Sequence, residues 1–168
     1  QITLEDFAAA PALLVAFVCN HCPYVKHVLD GLVSFAREYA PNGLATVAIS
    51  SNDIETHPQD GPAQMAQLSR SRQFTFPYLY DESQSAARTY EAACTPDFFL
   101  FDRERKLAYR GQFDGSRPGN KTPVTGADLR AAVEAEQIRR DAVLVQRTGE
   151  SVRDPERALV LRQPKIGR

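Results

Sequence analysis

Tryptophan is absent from this chain, methionine occurs once, and cysteine occurs three times in 168 residues. Three thiols are too few, and odd in number, for the disulfide scaffold of a small secreted domain. Charge of one sign is not in excess either: 20 Lys and Arg stand against 21 Asp and Glu, a net charge of −1. Without a basic surface, neither nucleic acid nor an anionic membrane is expected as partner. No apolar run approaches the length of a membrane span, and no secretory apolar segment is visible. A cytoplasmic location is the expectation, with export left open because the chain starts at Gln1 rather than Met. Internal repeats and low-complexity tracts are missing too, which removes solenoids and long linkers.

What is present alternates between two periodicities. Leu13 to Val18 is continuously apolar, as a strand buried on both faces would be. After Pro23, the residues Val25, Val28, Leu29, Leu32, Val33 and Ala36 follow helical spacing. Pro41-Asn42-Gly43 ends that helix. Leu44 to Ile49 predicts a second buried strand, and Pro62 to Arg72 a helix. Phe76 to Tyr80 predicts a short strand and Ser83 to Tyr90 a short helix. Asp97 to Asp102 and Lys106 to Gln112 predict an antiparallel hairpin turned by Arg103 to Arg105, and Gly126 to Arg140 a helix. Strands alternating with helices predict an α/β fold, a central mixed β-sheet flanked by helices. One domain is expected over residues 1–140. Residues 141–168, charged with short apolar runs at Ala142–Val145 and Ala158–Leu161, are expected as an extension packed on the domain or partly flexible.

The chemistry concentrates at Cys19-Asn20-His21-Cys22-Pro23, at the junction between the first strand and the first helix. Two thiols at this spacing predict a redox dithiol. The expectation is that Cys19 lies at the helix N-terminus, where the helix dipole favours a thiolate. Cys22, one turn inside, would then attack the mixed disulfide that Cys19 forms. The alternative is half of a zinc site, but a second Cys pair is absent and His21, His27 and His57 show no paired spacing. His21, between the thiols, is in range to tune Cys19. His27 and His57 are expected at the surface. Cys94 is either an auxiliary thiol or a small buried residue. Arg117, in the turn-rich loop 114–120, either lines a substrate groove or is simply solvated. Ser50–Asp53 follows the C-terminal end of a strand, the favoured ligand edge of open α/β sheets.

With the dithiol, Thr95-Pro96 ahead of the strand at Phe98–Phe101, and this order of elements, the chain resembles the thioredoxin-like superfamily. The helix and strand between Pro62 and Tyr80 look like the insertion of its redoxin branch, the alkyl hydroperoxide reductase and thiol-specific antioxidant proteins. The stretches Cys19–Tyr24, Phe76–Asp81, Cys94–Asp102 and Asp114–Asn120 closely resemble bacterial thioredoxin-family proteins. The resemblance implies a cis Pro96 facing the dithiol, with Thr95 and Pro96 presenting backbone to substrate. It implies thiol–disulfide exchange with a disulfide-containing protein or a small thiol or peroxide, an external thiol reductant, no cofactor, and a monomer or homodimer. Departures from the family pattern are specific. Thioredoxins carry Trp where this chain has Val18, and a buried Asp where it has Leu13, so the proton acceptor for the second thiol is either missing or supplied elsewhere. Peroxiredoxins carry Pro-x-x-x-Thr-x-x-Cys, and with Cys22 in the peroxidatic place, Val15 and Cys19 would replace the Pro and the Thr. That mismatch argues against peroxidase chemistry by this route; a thiol peroxidase is nonetheless the alternative function, and a non-enzymatic metal-binding or interaction module the second alternative.

Overall fold

Nothing polar interrupts Ala12–Phe17, and this stretch becomes the middle strand of the molecule, β1, buried at every position. In the computed structural model, which describes residues 2–146, β1 is followed by α1 (Pro23–Tyr39), β2 (Leu44–Ser50), α2 (Pro62–Ser71), β3 (Tyr78–Tyr80) and α3 (Ser85–Tyr90). The hairpin β4 (Asp97–Phe101) and β5 (Leu107–Gly111) comes next, then α4 (Ala127–Gln146). The sheet order is β3-β2-β1-β4-β5. β1 pairs in parallel with β2 and antiparallel with β4, so the sheet is mixed as expected. The hairpin register shifts between Leu100 and Phe101.

Period-two alternation divides the core. Leu14, Ala16 and Val18 point to the face covered by α1, Met65 of α2, and Leu129 and Val133 of α4. Leu13, Val15 and Phe17 point to the other face, under Ala86 of α3 and the partly buried Leu4 and Phe7. Leu13, at the position where thioredoxins hold a buried Asp, is thus a core residue packed among apolar neighbours. Helix α1 buries Val25, Val28, Leu29, Leu32, Val33 and Ala36 as its spacing predicts, with Phe35 and Tyr39 in addition.

Three features differ from the expectation. Short 3-10 turns form at Leu4–Phe7, Ala40–Asn42 and Pro58–Asp60, too short to leave a periodic signal. β3 is confined to Tyr78–Tyr80, because Pro77 precedes it and offers no N–H to the sheet. α4 runs past Arg140 to Gln146, since no Gly or Pro interrupts that stretch. The expected extension beyond Gln146, including Ala158–Leu161, lies outside the described residues.

Candidate redox site

The chain leaves β1 at Phe17, and the Val18 N–H still donates to the Ile49 carbonyl at 2.9 Å. That ladder bond carries Cys19 into the core edge, where it is 1% exposed. Pro23 occupies the first turn of α1 and Cys22 is its N-cap, because proline's fixed φ and missing N–H suit the first helical position. The expected placement is therefore corrected by one turn: Cys22, not Cys19, stands at the helix N-terminus. Cys22 is half-buried, Cys94 is exposed, and all three cysteines are free thiols.

Thr95 joins the two thiols. Its hydroxyl lies 3.4 Å from the Cys19 sulfur, and its carbonyl accepts from the Cys22 thiol at 3.2 Å. The Thr95–Pro96 peptide is cis. Burial pushes the Cys19 thiol up. Hydrogen bonds from Thr95 and the Cys22 backbone oppose that rise, and the nearby charges of Asp60 and Cys22 add to it.

The residue that organises the motif was not foreseen. Asp60, at the end of a 3-10 turn, is 0% exposed. Its Oδ1 accepts the backbone N–H groups of Asn20 at 2.7 Å and His21 at 3.0 Å. Its Oδ2 accepts the Asn52 amide at 2.7 Å and meets His21 Nδ1 at 2.5 Å. Burial alone would push this carboxyl up, but the bonds from Asn52, His21 and the Asn20 and His21 backbone outweigh it, and Asp60 ionises below the ordinary carboxylate range. Asn20 adds a second tie, donating to the Gln59 carbonyl at 2.9 Å and accepting from the Tyr78 hydroxyl at 3.1 Å. Burial, with Cys19 and Asp60 nearby, keeps that phenol protonated by pushing it up. The Asn-His pair between the thiols is thus clamped to the loop after β2. Asn52, just past the C-terminal end of β2, is part of the clamp.

His21 Nδ1 also lies 3.8 Å from the Cys19 sulfur. Its ring stacks on His57 with centroids 4.5 Å apart and planes 18° apart. His57, expected simply at the surface, is half-buried against His21. It lines, with His21, Cys22, Cys94 and Thr95, a cleft of about 700 Å³. A second groove, which shares Cys94 and Thr95 with the cleft, is lined by Tyr24, His27, Phe113 and Arg117. Cys94 thus lines both, with its thiol pushed up by partial burial and by the charges of Asp97 and Cys22. His27 is half-buried, and its Nε2 is buried without a hydrogen-bond partner. The Arg117 guanidinium is spent on its own loop, donating to the carbonyls of Asp114 at 2.8 Å and Ser116 at 2.6 Å and to Gln112. Among the described residues, the donor atoms of Cys19, His21 and Asp60 lie within 4.8 Å of one another, close enough to suit a metal ion.

The AhpC/TSA family model matches residues 1–110, which include the dithiol, Asp60 and Thr95-Pro96. The chain belongs to the AhpC/TSA family. A hypothetical protein of Sinorhizobium meliloti 1021, solved by crystallography, is 53% identical over 82% of this chain and 75% of its own, with a TM-score of 0.81. An uncharacterized conserved protein from Geobacillus kaustophilus is 51% identical over 81% and 72%, with a TM-score of 0.79. A thioredoxin-like protein solved in its oxidized form shares the fold, with a TM-score of 0.66 at 21% identity over 83% and 86%. No curated protein matches the chain. The AhpC/TSA assignment and the Cys-x-x-Cys motif support a redox-active cysteine pair and interaction with thiol or disulfide substrates. Among the described residues, no helix is long and apolar enough to cross a membrane.

Proposed function

We propose that this protein is a thiol–disulfide oxidoreductase in which Cys22 meets the substrate and Cys19 resolves the intermediate. The roles are the reverse of those the motif alone suggests. The observation that carries this order is exposure: Cys22 lines the cleft, whereas Cys19 is 1% exposed. A disulfide can approach in line only a sulfur that it can reach.

The Cys22 thiolate attacks one sulfur of a substrate disulfide. A Cys22 mixed disulfide forms and the other substrate sulfur leaves as a thiolate. The Cys19 thiolate then attacks the Cys22 sulfur and expels the second substrate thiolate. Two electrons have passed to the substrate, and Cys19–Cys22 is a disulfide until an external thiol reductant returns them. Thr95 contacts both sulfurs, its hydroxyl meeting Cys19 and its carbonyl Cys22. Asp60, through the Asn20 and His21 N–H groups, keeps the intervening turn in place. No bound cofactor is needed for this exchange.

Single serine variants test the order. Incubated with a disulfide substrate, Cys19→Ser should accumulate a stable mixed disulfide at Cys22, detected as a mass adduct. Cys22→Ser should form none and exchange at the uncatalysed rate. An adduct on Cys19 in Cys22→Ser, with none on Cys22 in Cys19→Ser, would reverse the order.

A further inference from the structure

We propose that, in the reduced protein, Cys19, His21 and Asp60 form a binding site for a thiophilic divalent cation of the zinc type, and that Cys22 is not one of its ligands. The donors are a sulfur, an imidazole nitrogen and a carboxylate oxygen, the set that zinc takes. All three lie within 4.8 Å of one another. Bond lengths of about 2.3 Å to sulfur and about 2.0–2.2 Å to nitrogen and oxygen give tetrahedral edges of roughly 3.3–3.7 Å. The separation of Cys19 Sγ and His21 Nδ1, 3.8 Å, lies just above that range. The 2.5 Å between His21 Nδ1 and Asp60 Oδ2 is shorter, as befits two atoms that share a proton. A cation takes the place of that proton and spreads the pair. The His21 side chain is 30% exposed and can move outward, whereas Asp60 is fixed.

The ligands are also supported from behind, as metal ligands are. Asp60 is oriented by the backbone N–H groups of Asn20 and His21 and by the Asn52 amide. The Cys19 sulfur is steadied by the Thr95 hydroxyl. His21 opens on the cleft, which supplies the entry path and room for water in the fourth position. Each cation bound displaces the Cys19 thiol proton, and a neutral His21 carries its ring proton on Nε2 so that Nδ1 is free to bind. A Cys19 sulfur held by a cation cannot attack Cys22. The site would therefore hold the protein out of exchange until the cation leaves, a consequence that rests on the exchange reading although the binding itself does not.

Cobalt and zinc titrations of the reduced full-length chain, stripped with chelator and kept anaerobic, test the site. One Co²⁺ per chain is expected, with a thiolate-to-cobalt absorption of one-thiolate intensity that zinc displaces. Cys22→Ser should keep that spectrum, although it cannot exchange disulfides, so loss of binding and loss of exchange are read separately. Cys19→Ser should lose the thiolate band. His21→Gln and Asp60→Asn should each weaken zinc at least about tenfold, and His21→Gln gives this reading without touching the buried carboxylate. A two-thiolate spectrum lost in Cys22→Ser would place the cation on the dithiol and overturn the proposal. So would an absence of binding, or full affinity in both His21→Gln and Asp60→Asn.

Discussion

Asp60 and Asp114 are two solutions to one physical problem, a carboxylate taken out of water. They are 0% and 2% exposed, and both ionise below the ordinary carboxylate range. In each, burial pushes the carboxyl up and hydrogen bonds outweigh it. They differ in what donates. Asp114 accepts the N–H groups of Ser116 at 2.8 Å, Thr125 at 2.7 Å and Gly126 at 2.6 Å, together with the Ser116 hydroxyl. None of these donors can lose its proton near neutral pH, so Asp114 simply pins the loop after β5 to the start of α4. Gly126 completes that joint. Its φ of +68° and the 2.6 Å that would separate an added Cβ from Phe113 Cζ leave room for glycine alone. Asp60 also takes two backbone N–H groups, but adds a titratable imidazole, and its charge reaches a thiol. A buried carboxylate with only backbone and hydroxyl donors is architecture. One that also faces an imidazole and a sulfur is placed to act on chemistry.

That distinction is open to attack, beginning with stability. Asp114→Ala leaves three backbone donors without their acceptor and should cost about 3 kcal/mol, seen in urea unfolding, while the folded fraction keeps its exchange rate. A loss of exchange with stability unchanged would erase the difference between the two sites. Acid comes next. Because both carboxyls are depressed in the folded state, their stabilisation is complete above the ordinary value of 3.8 and is lost as pH falls through the lower folded values. The urea midpoint should therefore fall as pH drops below about 4, and fall less in Asp114→Asn. An equal fall in that variant would deny Asp114 its part. The smallest effect sharpens the comparison most. The charge of Asp60 is one cause of the raised Cys19 thiol, so Asp60→Asn in a Cys22→Ser, Cys94→Ser background should move the pH midpoint of the Cys19 thiolate ultraviolet absorbance down. Asp114→Asn in the same background should leave it in place. An upward or absent movement with Asp60→Asn would show that burial alone sets this thiol.

The same contrast explains what the sequence made legible. β1, α1 and β2 were readable because burial on both faces or on one helical face imposes an unbroken or periodic apolar pattern. The β4–β5 hairpin was readable from two runs around Arg103–Arg105. The cysteine pair and Thr95-Pro96 stood out by spacing and by resemblance. Asp60 and His57 did not, because they lie in a polar stretch that reads as solvated loop. The bonds that bury Asp60 reach backbone groups 39 and 40 residues earlier. No local pattern encodes such a pairing, and the only hint was a strand's C-terminal end at Ser50–Asp53. The placement of Cys19 went astray for a related reason. The thioredoxin-like pattern suggested a helix starting at the first thiol, whereas Pro23 sets the start after the second.

Titration of the protein in glutathione redox buffers, with mass-spectrometric mapping of the cysteine pairs, tests the central claim most directly. A reversible Cys19–Cys22 disulfide that forms and reduces as one two-electron step is the predicted result. Its absence, or oxidation that links only Cys94, would contradict the account.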